Sequence, residues 1–596
     1  MKCYVKDYPR PQFVRDNWEN LNGQWDFRFD DENIGEKEKW YCGFQPQQKI
    51  TVPYAYDSPA SGIGDVSKHE NVWYSRTISA CADKLQGNRY ILHFEGCDYI
   101  SKVWLNGQFV GSHQGGYTRF SFDLTDLLRD GENQLVVKAE DSYDMQQIRG
   151  KQRWTDESYL CFYFPTTGIW KTVWSEYVPD LSLSYVKMTP NLEEACLDVE
   201  YTLQIPVGIR KQDVSIEAEV YLQDEFINRV SVTPTSGPSK ARIDLCVNDP
   251  RAYGANVKLW RPGQPYLYDI RFTVKHNSQI TDQVGSYFAM REVKILGSEV
   301  MLNSRTLYQR LILDQGYWED THLTPPSEEA LIEDIDKIMQ MGYNGVRKHQ
   351  KTEDERFLYW CDVKGLLVWC EAPSTYQFSD TAVSNFAREW MEIVKQNYNH
   401  PSIITWTPFN ESWGINMVRS SRREQSFTEG IYHLTKSFDP CRPVIVNDGW
   451  EHTISDILTL HDYEPDGRVL KENYLYNQEE MLTGTKTFCN LKMAFAEGYE
   501  YRGQPIMISE YGGIAFTGSD AGWGYGDKVC DKEAFLNRFA LVTEAIGQIP
   551  YMCGYCYTQV TDVQQEVNGL MDIHRNFKIE PEKIRAINEK QKRGAF

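Results

Sequence analysis

Over residues 1–178, apolar and polar positions alternate in short runs such as "NRYILHFEGC", "ISKVWLNGQFVGSHQGG" and "NQLVVKAED". A period of two places successive side chains on opposite faces of a strand, so each run predicts a strand with one buried face. Asn106-Gly107, between "VWL" and "QFVG", is a two-residue hairpin signal. With few helical periods among these runs, residues 1–178 predict an all-β sandwich. Residues 179–292 repeat the pattern on a smaller scale, in "CLDVEYTLQIPV", "DVSIEAEVYLQ" and "LYDIRFTVKH". Their length and strand spacing fit an immunoglobulin-like β-sandwich.

After "REVKIL" the alternation gives way to runs that are apolar on both faces. They are "LYQRLIL", "NGVRKH", "GLLVWCE", "SIITWTPFNE", "RPVIVNDG", "DILTLHDY", "PIMISEYG" and "YMCGYCYTQ". Helical stretches separate them. One is "PSEEALIEDIDKIMQMG", with a Ser cap, an acidic first turn and a terminal Gly. Strands buried on both faces and alternating with helices imply a parallel sheet. Eight of them over residues 293–596 predict a (β/α)8 TIM barrel. The predicted architecture is therefore two β-sandwiches followed by a barrel.

Composition narrows the partners. The chain has 596 residues, 41% of them apolar, and a net charge of −21. That charge leaves no phosphate-binding surplus, which argues against nucleic-acid and anionic-membrane partners. No segment reaches the 18 or more apolar residues of a membrane span. The amino terminus lacks the apolar run of a signal peptide, and 14 Cys are scattered without a disulfide-framework spacing. A cytoplasmic protein with reduced thiols is expected. Cys553 and Cys556 form a Cys-x-x-Cys, but the apolar run continues past them, unlike a redox pair at a strand-to-helix turn.

In a barrel the carboxyl ends of the strands form the active face, so polar residues there are candidate site residues. The runs end in Asp314, Arg347 with His349, Glu371, Glu411, Asp448, His461 with Tyr463, and Glu510. The alternative is an ion-pair network that closes the barrel mouth. Glu411 and Glu510 each terminate a strongly apolar strand, with an aromatic residue and Gly close behind. They fall on the fourth and seventh runs, across the mouth. Facing carboxylates about 5 Å apart are the arrangement of retaining glycosidases, one attacking the sugar and the other donating a proton.

The segments "TWTPFNESWG" and "IMISEYGG" resemble the acid/base and nucleophile segments of glycoside hydrolase family 2, which includes β-galactosidases, β-glucuronidases and β-mannosidases. "NVWYSRTIS", "VWLNGQFVGSHQGGYTRFSFDLTDLL" and "TTGIWKTVW" resemble its jelly-roll-like sugar-binding domain, and "FAMREVKI" resembles the entry to its barrel. The resemblance covers essentially the whole chain. It implies that Glu411 is the general acid/base, Glu510 the nucleophile, and Asn410 the partner of the sugar 2-hydroxyl. It also makes Arg347 and His349 sugar-contacting or structural, and Tyr463 a hydrogen-bond partner of the nucleophile region. His461 is a contact or a structural residue. Tyr557 stands where the family usually has a Trp platform, and Trp523 is a candidate pocket wall.

Departures bear on substrate. Asp314 in "ILDQGYW" stands where many relatives carry a His-Glu motif. "WCEAPSTYQF" lacks the Glu-Thr-His segment of the large, magnesium-dependent β-galactosidases, so no required metal and no cofactor are expected. The Asn-x-Lys pair with which β-glucuronidases grip the sugar carboxylate is absent from "VQQEVNGLMD", where Gly569 and Leu570 follow Asn568. Arg347, Lys348, Arg575 or Lys578 are the cations that could replace it. The expectation is a retaining exo-β-glycosidase acting on a carbohydrate substrate, β-galactosidase-like. A β-glucuronidase or other β-glycosidase is the alternative within the class, and a non-catalytic carbohydrate-binding protein the alternative outside it.

Overall fold

The structure is a computed structural model and describes residues 4–234, 239–246, 256–486, 491–518, 522–591 and 593–594. The first domain packs a six-stranded antiparallel sheet on a four-stranded one. Its long central pair, Asn71–Ala80 with Gly131–Glu140, turns Val72, Tyr74, Leu135 and Val137 into a core shared with Trp25, Leu92 and Phe94. Asn106 and Gly107 both adopt positive φ, 53° and 80°, and join Ile100–Leu105 to Gln108–Gln114 as the hairpin signal requires. The second domain has three strands facing four. In Val214–Leu222 buried and half-buried residues alternate, which puts Val214, Ile216, Ala218 and Val220 on the core face.

The third domain carries eight parallel runs in barrel order. They are β1 (Gln309–Asp314), β2 (Gly345–Lys348), β3 (Leu367–Glu371), β4 (Ile403–Thr407), β5 (Asn447–Asp448), β6 (Leu458–His461), β7 (Ile506–Gly512) and β8 (Met552–Thr558). Seven form one curled parallel sheet in the order β4-β3-β2-β1-β8-β7-β6. The remaining gap, between β4 and β6, holds β5, which is only two residues long and pairs with Phe409–Asn410 just beyond β4. Side chains explain its shortness. Asp456 Oδ2 accepts from Val444 N at 2.8 Å and Ser455 Oγ from Val446 N at 2.9 Å, so these amides do not enter a ladder. A small antiparallel sheet, Val293–Leu296, Glu299–Leu302 and Arg305–Thr306, packs Val300 and Leu302 against Leu311, Trp369, Ile404 and Met507 at the amino ends of the strands.

Helices α1 (Glu328–Gln340), α2 (Glu355–Lys364), α3 (Asp380–Asn397), α4 (Arg422–Phe438), α5 (Gly467–Tyr476), α6 (Lys532–Gly547) and α7 (Pro581–Lys590) cover the sheet's outer face. Ser327 Oγ accepts from Ala330 N at 3.2 Å and caps α1 as its sequence predicts.

The first sandwich reaches over the barrel's carboxyl-end face. Residues 141–167, between Gly131–Glu140 and Gly168–Ile169, form no regular element. Their backbone is tied to the loop after β3, with Arg149 N and Gly150 N donating to Ser374 O at 2.9 and 3.1 Å. Gly150 has φ +62°, and a Cβ there would lie 2.4 Å from Gln350 O, so only glycine permits this approach. On the other side Leu160 O accepts from Trp523 Nε1 at 2.9 Å and Gln565 Nε2 at 2.8 Å. The segment thereby roofs the mouth.

Candidate active site

Glu411 owes its position to a strained turn. After Asn410 the chain takes positive φ at two successive non-glycine residues, Glu411 at 50° and Ser412 at 62°. Neighbours hold the turn in place: Glu411 N donates to Asp448 O at 2.9 Å, Ser412 N to Asn447 Oδ1 at 2.9 Å, and Ser412 Oγ to Glu451 at 2.8 Å. β7 delivers Glu510 from the other side of the mouth. One oxygen of each carboxylate and a ring nitrogen of His461 all lie within 4.8 Å of one another. The Glu510 side chain is 6% exposed and that of Glu411 19%, so Glu510 is the more enclosed and Glu411 the more open.

Arg347, fully buried on β2, organises the floor. Its guanidinium meets Glu371 at 2.7 Å, Asp448 at 2.9 Å and Glu510 at 2.8 Å. It also donates to Asn410 Oδ1 at 2.6 Å. That bond fixes the Asn410 amide and leaves its Nδ2 buried with no partner among the described residues. It is a free buried donor beside the two carboxylates, available to an acceptor that enters the mouth. Burial works against the Arg347 charge, but Asp448, Glu371 and Glu510 together hold it well above the ordinary arginine value.

His461 links the carboxylates. Nδ1 lies 2.8 Å from Glu411 and 3.5 Å from Glu510, and Nε2 lies 2.9 Å from Asp448. Burial opposes its charge, yet Glu510 and Asp448 raise it to about 10, so both ring nitrogens carry protons at neutral pH. Tyr463 donates to Glu510 Oε2 at 2.6 Å. Burial raises the Glu510 carboxyl, but His461 and Arg347, with the Tyr463 hydroxyl, bring it below its ordinary value. His349 sits 3.0 Å from Glu371, and burial, Lys151 and Arg347 hold it well below the ordinary histidine value.

Three expected site residues are placed differently. Tyr557 is not a platform in the mouth. Its ring is fully buried against Phe539 of α6 at 5.0 Å and Tyr511 at 5.4 Å, facing the helical layer. Strand alternation puts its neighbour Thr558 inward, 3.1 Å from the Tyr463 hydroxyl. Asp314 is likewise turned away. It accepts from Lys348 at 2.7 Å, and Lys348 continues to Glu353 at 2.6 Å and lies over the Phe357 ring of α2. The next residue, Gln315, is the one that joins the mouth residues described below. Trp523 stands at the rim, behind Tyr525. Tyr525 stacks on Tyr463 with ring centroids 3.4 Å apart, and Trp523 packs edge-on to Tyr525 at 5.4 Å.

Other mouth residues escaped the sequence reading. From the sandwich come Lys151 and Tyr163, and from the loop after β8 comes Glu566. The Lys151 ammonium lies 4.6 Å from the Trp413 ring centroid, within reach of the charges of Glu411, Glu510 and Glu566. Trp413 joins an aromatic wall with Phe162 at 5.9 Å and Tyr376 at 5.6 Å, and Trp154 packs on Tyr376 at 4.3 Å. The available signal was residues 141–167 themselves, a long aromatic stretch without strand or helix periodicity. Among the described residues, Glu411, His461 and Glu510 are the group of three donors close enough to hold a metal ion. Those donors are already engaged, Glu510 by the Arg347 guanidinium at 2.8 Å and Glu411 by His461 Nδ1 at 2.8 Å, so the trio is a poor fit for a cation.

Known proteins bear on this arrangement. Residues 18–175 match the family described as "Glycosyl hydrolases family 2, sugar binding domain". Residues 181–291 match "Glycosyl hydrolases family 2" and residues 293–524 "Glycosyl hydrolases family 2, TIM barrel domain". A putative beta-glucuronidase of Formosa agariphila is 26% identical over 461 residues, 74% of this chain and 52% of that protein. A beta-galactosidase of Thermoanaerobacter pseudethanolicus is 25% identical over 538 residues, 86% of this chain and 67% of its own length. The chain thus spans about half to two thirds of these relatives. Among solved structures, a b-glucuronidase from Ruminococcus gnavus aligns with a TM-score of 0.76 at 16% identity, covering 98% of this chain and 99% of that one.

Proposed function

The chain belongs to glycosyl hydrolase family 2, and from that premise we propose that it is a retaining exo-β-glycosidase. Its substrate in this reading is a neutral sugar at a non-reducing end, as in a β-galactosidase. The observation that carries the reading is the approach of Glu411 and Glu510 to within 4.8 Å. Retaining enzymes hold their carboxyl groups about 5–5.5 Å apart, too close for a water to attack the anomeric carbon from between them.

In the first step a Glu510 oxygen attacks the anomeric carbon while Glu411 gives a proton to the departing glycosidic oxygen. A glycosyl ester on Glu510 results. Water then enters from the Glu411 side, loses a proton to that carboxylate and attacks the same carbon, and Glu510 leaves. Arg347 and Tyr463 support Glu510 as nucleophile, because both hydrogen-bond its ionised form. The greater exposure of Glu411 suits the group that meets the leaving group and the incoming water.

The roof of residues 141–167 supports an exo mode, since it is tied across the mouth to the loop after β3 on one side and to Trp523 and Gln565 on the other. The cations considered for a uronate support a neutral sugar. Arg347 is engaged by three carboxylates, Lys348 by Asp314 and Glu353, Arg575 by Asp334 and Lys578 by Asp562. A β-glucuronidase is the second reading. Lys151 favours it, because no carboxylate of the described residues lies within 4.0 Å of its ammonium.

Nitrophenyl β-galactoside, β-glucoside, β-mannoside and β-glucuronide, assayed side by side, separate these readings. Proton NMR in the first minutes of hydrolysis tests the stereochemistry. A first-formed β-anomer is expected, and an initial α-anomer would remove Glu510 from the nucleophile role.

A further inference from the structure

Glu566 has no assigned role in that reaction, yet it is among the most carefully held carboxylates in the mouth. It is 3% exposed. Its Oε2 accepts from the Tyr163 hydroxyl of the sandwich and from Gln315 Nε2 at 3.3 Å, and its Oε1 accepts from Asn568 Nδ2 at 3.2 Å. Among the described residues no Lys, Arg or His comes within 4.0 Å of it. An acidic group buried without a cation is expensive to maintain and calls for a partner of another kind.

The donors around it are already engaged with one another. Gln315 Nε2 also donates to the Tyr163 hydroxyl at 2.9 Å and to Gln559 Oε1 at 2.8 Å, and Gln559 Nε2 donates to Asn568 Oδ1 at 2.7 Å. Gln315 itself is 2% exposed, and its Oε1 has no partner among the described residues. What remains unfilled in this cluster is acceptor capacity: Gln315 Oε1 and the spare lone pairs of Glu566. The group that complements it is a hydroxyl donor. A carboxylate offers no proton and brings a like charge.

Strand order says which part of a sugar would meet the cluster. Gln315 follows β1 and Gln559 follows β8, adjacent strands on the side of the mouth away from β4, which presents Glu411. In the orientation adopted here, a ring whose anomeric carbon lies between Glu411 and Glu510 turns its far edge toward β8 and β1. Lys151 and Tyr525 bridge the two regions electrostatically, each within reach of the charges of Glu411, Glu510 and Glu566.

Resting on the glycosidase reading, we propose that Glu566, with Gln315, reads the hydroxyl groups on the far edge of a neutral terminal sugar and excludes a uronate. The sandwich domain contributes to this selection through Tyr163, which holds the Glu566 carboxylate. Sites built to hydrogen-bond a substrate hydroxyl discriminate strongly against analogues that cannot supply it, because the buried groups are then left without partners.

The test compares wild type, Glu566→Gln and Gln315→Met on nitrophenyl β-galactoside, its 3-, 4- and 6-deoxy analogues, and nitrophenyl β-glucuronide. Glu566→Gln is expected to lower kcat/KM on the best neutral substrate by roughly 10- to 100-fold, the range for a hydrogen bond to a charged group. The analogue lacking the hydroxyl that Glu566 reads should be nearly indifferent to the change, since the interaction is already missing. The ratio of neutral to uronide turnover should fall. Equal loss on every deoxy analogue, or an unchanged ratio, overturns the proposal. If Glu566→Gln does not fold, Gln315→Met gives the same readout. Glucuronide turnover above every neutral substrate that collapses in Lys151→Met overturns it in favour of Lys151 as an anion reader. A wild type inactive on every glycoside removes the glycosidase reading and this inference with it.

Discussion

Glu510 and Glu411 differ in surroundings, and that difference assigns them different tests. Glu510 is enclosed and held by Arg347, Tyr463 and His461. Glu510→Ala should lower turnover by about 10^4-fold or more while the fold persists. Azide can enter the vacated space and attack from the same face. The variant should then release an α-glycosyl azide, detectable by chromatography and NMR. Near-normal hydrolysis without azide would remove the assignment. Glu411→Ala should instead divide substrates by leaving group. Nitrophenolate departs without a proton, whereas a sugar alkoxide needs one, so loss on a disaccharide should reach about 10^2- to 10^4-fold. Pre-steady-state release of nitrophenol should suffer far less. Equal losses on both would make Glu411 a binding residue.

Strand alternation decides which members of an element can take part. In β8 Tyr557 faces the helices and Thr558 the mouth, and in the first run Asp314 turns outward while Gln315 turns inward. The apolar pattern locates both strands, but a run buried on both faces carries no period to say which face is which. Tyr557→Phe should therefore keep kcat/KM within about twofold, because its ring packs against Phe539 and Tyr511 rather than lining the mouth. A large loss would restore the ring to the sugar site. Gly512→Ala is the contrasting change. Gly512 has φ +86°, and an added Cβ would lie 2.3 Å from the Tyr557 ring. Strain of about 1–3 kcal/mol is expected at such a position. Thermal melting and kcat should both fall, since the same strand carries Glu510 two residues earlier. Unchanged activity would mean that β7 tolerates a shift beside its carboxylate.

The sandwich and the barrel are joined through buried polar contacts, and one of them makes stability depend on pH. Glu389 of α3 accepts from Tyr117 N of the sandwich at 2.8 Å. Its other oxygen has no partner among the described residues. Burial pushes the Glu389 carboxyl from 4.5 to about 8, with Asp98 and Glu392 adding to the rise. The folded form thus keeps a proton that the unfolded chain has lost. The stabilisation is fully present below pH 4.5, declines as the pH rises, and is gone above about 8. Glu389→Gln retains an acceptor for Tyr117 N without the charge. Its melting temperature should exceed that of wild type at pH 8.5, and the difference should shrink toward pH 5. A constant difference across that range would mean that Glu389 titrates normally.

The order of local patterns was enough for much of this molecule. Period-two alternation marks the two sandwiches, doubly apolar runs between capped helices mark the barrel, and the runs that end in Glu411 and Glu510 mark the strands that bring two carboxylates together at its mouth. These features are legible because each depends on neighbours a few residues away. The rest depends on residues far apart in the chain. Lys151 and Tyr163 belong to the sandwich but stand over the barrel mouth, and Glu566 meets Tyr163 across 403 positions. β5 shortens because Asp456 and Ser455 claim its amides. His461 holds a charge only because Glu510 and Asp448 converge on it. Contacts of this kind arise when packing brings distant segments to one place, and no local period records them.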